Sequence, residues 1–100
     1  MTLMQTQYAL AALAALAQES RLAIFRLLVQ AGPDGLAASK IAEHLGIAPS
    51  SLSFHLKELS HAQLVTARQE GRFIIYAAQI GSMNALIGFL TENCCGGAAC

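Results

Sequence analysis

One hundred residues give room for one domain built around a single core. Hydrophobic residues make up 55% of them, above the share in an ordinary globular domain, and the formal net charge is zero. That neutrality removes bulk electrostatics as a basis for binding nucleic acid or an anionic surface, so such a function must rest on where individual charges sit.

The longest apolar run, Tyr8 to Ala17, is well short of the roughly 20 residues that span a bilayer, and no basic flank or cleavage site marks a secretory signal. A cytoplasmic location is expected. A dimer interface is expected too, because so short a chain has trouble covering this much apolar surface alone.

From Leu3 to Gln18 the chain is rich in alanine and leucine and free of glycine and proline, which predicts a helix. Leu10, Leu13 and Leu16 form one stripe, and the alanines between them are small enough for another backbone to come close. Ser20 is placed to cap the next helix, Arg21 to Gln30, which stops before the turn Gly32-Pro33-Asp34-Gly35. Its apolar residues Leu22, Ile24, Phe25, Leu27, Leu28 and Val29 cover enough of the circumference to predict a central, buried helix.

Ala38 to Leu45 reads as a short helix with Ile41, Ala42 and Leu45 inward, closed by a left-handed Gly46. Ile47 and Ala48 lead to Pro49, which suits the first turn of a helix running to about Ala62 on a stripe of Leu52, Leu56 and Leu59. Val65 to Gln69 and Arg72 to Ala78 then alternate as strands joined at Glu70-Gly71. Arg72, Ile74 and Tyr76 fall on one face of the second strand, and Phe73, Ile75 and Ala77 on the other. Ser82 to about Asn93 forms a last helix on Met83, Leu86, Ile87 and Leu90, and the glycine-rich residues after it cannot continue it.

A short helix, a three-residue turn and a longer helix make a helix-turn-helix, and a two-stranded ribbon directly afterwards makes it winged. The expected fold is therefore mainly α with a β-hairpin wing, an α+β winged helix-turn-helix whose hairpin lies between the fourth and fifth helices. Residues 1–93 form this domain and 94–100 a cysteine-rich tail. With the leucines of the second helix of the motif turned inward, Ser50, Ser51, Ser53, Phe54 and Lys57 face outward. Short hydroxyl side chains can reach base edges in the major groove, and the helix start at Pro49 favours a phosphate. Phe54 can meet a thymine methyl. Lys40, Lys57, Arg68 and Arg72 fall where phosphates would lie, although Glu43, Glu58 and Glu70 nearly cancel them and would suit an ordinary solvated surface. His55 either touches phosphate or braces the helix; His44 and His61 read as surface residues.

Two stretches, 17–28 (AQESRLAIFRLL) and 41–59 (IAEHLGIAPSSLSFHLKEL), together with Glu70-Gly71-Arg72 and Tyr76, resemble the ArsR/SmtB family of metal-responsive repressors over roughly residues 10 to 90. The resemblance implies a homodimer built mainly from the first and last helices. It also implies binding to inverted-repeat operator DNA, with each recognition helix in a major groove and each wing near a minor groove.

All three cysteines, Cys94, Cys95 and Cys100, lie in the last seven residues. An odd, tight cluster is no disulfide framework, and reads as soft thiolate ligands or a redox switch. Three thiolates without His or Asp suit As(III) or Sb(III), which take three sulfurs in a pyramid, and Gly96-Gly97 give the backbone freedom to close the set. The chain departs here from many arsenic-responsive members of the family, whose cysteines sit on the first helix of the motif. Residues Ser39 to Leu45 contain none, and the last helix lacks the family's zinc pattern of His and Asp. The tail instead resembles a subgroup with three cysteines just after the last helix, which implies As(III) or Sb(III) as inducer. A redox or persulfide switch, with Cys95–Cys100 or Cys94–Cys100 as the oxidised pair, and a tail without any ligand are the alternatives. No cofactor loop, catalytic triad or strand–CxxC–helix context points to an enzyme, and no organic cofactor is expected.

Overall fold

The computed structural model describes residues 5–99. Helix α1 spans Thr6–Leu16, α2 Glu19–Ala31, α3 Ala38–Leu45, α4 Pro49–His61 and α5 Ile80–Leu90. Strand β1 is Leu36–Ala37, β2 Val65–Glu70 and β3 Phe73–Ala78. Among the described residues no helix is long and apolar enough to cross a membrane.

The core forms where the apolar faces of the helices meet the base of the hairpin. Ile24 and Leu28 of α2, Ile41 of α3, Leu52, Leu56 and Leu59 of α4, Leu64 just before β2, Val65 of β2 and Leu86 of α5 are all buried there. Helices α3 and α4 match their expected bounds almost residue for residue, because strong punctuation marks them. Gly46 closes α3 at φ 64°, ψ 34°, and Pro49 opens α4, where its missing N–H costs no hydrogen bond.

Helix α1 turns its alanines rather than its leucines to the core. Its alanines Ala9, Ala12 and Ala15 are buried against the core, while Leu10 is 61% and Leu13 40% exposed. Only Leu16 of the expected leucine stripe packs on the core. Alanines at a spacing of three let α1 lie close to α2, α4 and α5, a geometry that leucines on that side would prevent. The expected start at Leu3 lies outside the described residues.

Helix α2 begins two residues earlier than expected, and Gln18 rather than Ser20 caps it. Gln18 is extended (φ −149°, ψ 132°), and its side chain accepts from the Arg21 N–H at 2.8 Å. Ser20 therefore falls inside the first turn. Only Ile24, Phe25 and Leu28 of α2 are buried; Leu22 and Val29 are exposed, so the helix lies against the core on one side rather than running through it. In α5, likewise, Leu86 is buried and Met83 packs on the core, while Ile87 and Leu90 face outward.

The sheet has a strand that pattern alone did not reveal. Leu36 and Ala37 pair antiparallel with Tyr76 and Ile75, giving the order β1-β3-β2. The hairpin register runs from Val65↔Ala78 to Glu70↔Phe73, so the loop is Gly71-Arg72, one residue beyond the expected Glu70-Gly71. Gly71, at φ 62°, takes the first central position of this two-residue loop. Arg72 thereby moves from the strand to the wing tip. The alternation of Ile74 and Tyr76 against Phe73, Ile75 and Ala77 agrees with the register.

Entry into β1 requires glycine at position 35. Its φ is 67°, and a Cβ there would stand 2.3 Å from the Tyr76 carbonyl oxygen on β3. Gly46 has a similar φ of 64° but open space around it. Gly35→Ala is expected to destabilise the fold by about 2–5 kcal/mol, from left-handed strain plus the clash. Gly46→Ala should cost about 1–2 kcal/mol from the backbone alone. Urea denaturation of the two variants measures the difference.

Candidate nucleic-acid interface

The candidate interface is assembled by the burial of α4. Leu52, Leu56 and Leu59 point into the core, so Ser50, Ser51, Ser53, Phe54 and Lys57 are all exposed along the opposite side. The turn from α3 is short and fixed: the Gly46 and Ile47 N–H groups both donate to the Ala42 carbonyl, the latter at 3.2 Å. No side chain caps the start of α4, so its first-turn N–H groups keep the partial positive charge that attracts a phosphate. Pro49, Ser50 and Ser51 are exposed at that end.

Phe54 is 55% exposed on the outer face of α4. Its ring meets that of His55 edge to face, with centroids 5.7 Å apart. His55 is half-buried and its Nδ1 lies 3.5 Å from the Arg21 Nη1 of α2. Of the two roles open to His55, this contact is the bracing one. Arg21 was not among the residues singled out by the sequence, and nothing in its spacing relates it to a histidine 34 positions away.

The four expected phosphate-facing cations separate into two kinds. Lys57 and Arg72 are exposed, and no hydrogen bond or ion pair among the described residues engages either. Lys40 pairs with Glu43 at 3.7 Å on a surface where both side chains are well exposed, a contact worth at most about 1 kcal/mol and readily exchanged for a phosphate. Arg68 is different. Its Nε contacts Glu70 Oε2 at 2.5 Å, and its Nη1 and Nη2 donate to the carbonyls of Pro33 and Asp34 at 3.3 and 2.8 Å. All three nitrogens thus have a partner within the protein, and Arg68 ties the wing to the 3₁₀ turn Gly32–Asp34.

The tail begins where α5 ends. Asn93 takes a left-handed conformation (φ 57°), followed by a 3₁₀ segment Cys94–Gly97 in which Cys95 and Gly96 are also left-handed. Main-chain bonds from Cys94 to the Thr91 carbonyl (2.9 Å) and from Gly96 to the Asn93 carbonyl (2.8 Å) turn it back on the helix end. The sulfurs of Cys94 and Cys95 lie 3.8 Å apart at the surface, and Cys95 is disulfide-bonded. Among the described residues no three His, Cys, Asp or Glu side chains converge as a metal site. Cys100, the third expected ligand, lies outside the described residues.

A recognition helix held by its leucines behind a short turn, followed by a hairpin with a cation at its tip, defines a winged helix-turn-helix DNA-binding protein. Residues 16–68 match the family described as "Helix-turn-helix domain". The transcriptional repressor SdpR of Bacillus subtilis is 32% identical over 62 residues, covering 58% of this chain and 69% of that protein. An ArsR-like transcriptional regulator from Rhodococcus sp. RHA1 superposes with a TM-score of 0.77 at 28% identity, over 86% of this chain and 78% of the other. The homodimeric winged helix-turn-helix domain of Mb0332 from Mycobacterium bovis, a possible ArsR-family regulator, does so with a TM-score of 0.69 at 26% identity, over 94% and 87%. The chain belongs to the ArsR family of transcriptional regulators, and its relatives are regulators rather than enzymes.

The separation of the cations has a measurable consequence. Lys57→Ala and Arg72→Ala should each weaken DNA binding at every sequence and reduce the slope of log K against log[salt] by about 0.9, the value of one phosphate contact. Arg68→Ala should weaken binding by loosening the wing while leaving that slope unchanged. Anisotropy titrations of a duplex at several salt concentrations separate the two.

Proposed function

We propose that the chain is a homodimeric repressor of inverted-repeat operators, released when As(III) or Sb(III) binds Cys94, Cys95 and Cys100. The observation that carries this reading is the vicinal sulfur pair at the end of α5, 3.8 Å apart. Two sulfurs each about 2.3 Å from one tetrahedral soft ion stand about 3.8 Å apart, so Cys94 and Cys95 have the spacing to share a centre. A three-sulfur pyramid with narrower angles asks only that they move slightly closer. Cys100 would supply the third bond.

The dimer is supported by unused apolar surface. Tyr8, Leu10 and Leu13 on α1, and Ile87 and Leu90 on α5, are exposed on two helices that pack against each other. The homodimeric Mb0332 domain has the same fold. Because the tail is hydrogen-bonded to the end of α5, ordering it around an ion can shift that helix and change the separation of two recognition helices. Coupling of about 1–3 kcal/mol between the sites lowers operator affinity 5- to 150-fold.

The disulfide at Cys95 favours a second reading, in which thiol oxidation itself is the signal. A disulfide removes two thiols, so the oxidised tail cannot form the three-sulfur site, and in the reducing cytoplasm the ion-binding form is the resting one. The two readings make opposite predictions for reduced protein. With a promoter fragment in an anisotropy titration, arsenite or antimonite should release the reduced dimer. Zinc should not, and Cys94→Ser, Cys95→Ser or Cys100→Ser should each abolish the response. If arsenite leaves the reduced protein bound while oxidation releases it, the redox switch replaces the ion sensor. Release that persists in the triple serine variant removes the tail from both roles.

A further inference from the structure

We infer that Arg21 is a positioning residue for operator recognition, a strut that fixes His55 and Phe54 of the recognition helix against the end of α1 without touching DNA. Arg21 is half-buried at the junction of three helices. Its main-chain N–H is held by the Gln18 cap. Its Nε donates to the Ala15 carbonyl at 2.6 Å, and its Nη1 reaches His55 Nδ1 at 3.5 Å.

Each end of this strut meets a need. Ala15 lies in the last turn of α1, where carbonyls lack intrahelical partners, and α1 has no basic residue of its own in that turn. The guanidinium therefore supplies both the missing donor and the positive charge that a helix C-terminus favours. At the other end, a guanidinium can only donate, so His55 Nδ1 serves this contact as the acceptor. The edge-to-face contact of His55 with Phe54 continues the series to a side chain that is exposed on the reading face. Glu58 and His61 of α4 line the cleft beside Arg21, but no carboxylate among the described residues forms an ion pair with it. The side-chain hydrogen bonds it makes among the described residues go to the carbonyl and the histidine.

The geometry is specific to arginine. Nε and Nη1 diverge in one plane and serve two acceptors at once, whereas a lysine offers a single nitrogen. Arg21→Lys thus keeps the charge near α1 and breaks the strut. His55→Leu removes the acceptor while leaving the bond to Ala15.

The test is a double-mutant cycle on operator affinity, accompanied by affinity for an unrelated duplex, the salt slope and thermal melts. Arg21→Lys and His55→Leu should each weaken operator binding about tenfold, the scale of one charge-assisted hydrogen bond. The double variant should lose no more than the worse single one. Affinity for the unrelated duplex and the salt slope should stay at wild-type values, and His55→Gln, whose amide oxygen can accept, should recover part of the loss. Wild-type operator affinity in either single variant overturns the inference, as do additive losses in the double variant. A slope reduced by about 0.9 in Arg21→Lys would make Arg21 a phosphate contact instead and overturn it equally. If Arg21→Lys melts below the assay temperature, His55→Leu decides alone: about tenfold weaker operator binding sustains the strut and unchanged binding rejects it.

Discussion

Burial of Leu52, Leu56 and Leu59 along one side of α4 is the constraint on which the remaining structure depends. Each leucine contributes about 1.5–3 kcal/mol by leaving water, and together they pin the helix along its length rather than at one end. The same stripe decides which residues remain outside. A helix with three consecutive anchors cannot turn about its axis without exposing them, so Ser50, Ser53 and Phe54 are presented by packing rather than by loop geometry. The recognition surface is thus the reverse side of the core.

The wing is held by a different kind of force. Its middle is joined to β1 through main-chain pairing of Leu36 and Ala37 with Tyr76 and Ile75, and at the same level Arg68 ties it to the carbonyls of Pro33 and Asp34. Those bonds are polar and lie at the surface, where each contributes modestly. The wing therefore has more freedom than α4. Its tip, with Gly71 and Arg72, suits an element that adapts to a groove, while α4 suits one that reads it.

Legibility in the sequence followed the strength of the local signals. The helix-turn-helix could be read almost to the residue, because Gly46 and Pro49 act through backbone chemistry that tertiary contacts rarely override. The outward face of α4 was legible for the same reason, once its leucines were assigned inward. The inward face of helix α1 was not legible, because a period of three fits both the leucines and the alanines. Strand β1 has only two residues, too few to show any period. The roles of Arg68 and Arg21 rest on partners 34 or more positions distant and on carbonyls, which leave no mark on side-chain spacing.

The alanine packing of α1 also bears on how firmly that helix is held. Its inner side meets the core through the methyl groups of Ala9, Ala12 and Ala15, each contributing on the order of 0.8 kcal/mol, while its larger side chains Tyr8, Leu10 and Leu13 stay 40–61% exposed. Local opening draws on the regions with least apolar burial, so α1, held chiefly by alanine methyls, opens more readily than α4 with its three leucines. It behaves as a latch whose grip is set by whatever covers its outer side, so its residence on the domain rises and falls with that occupancy.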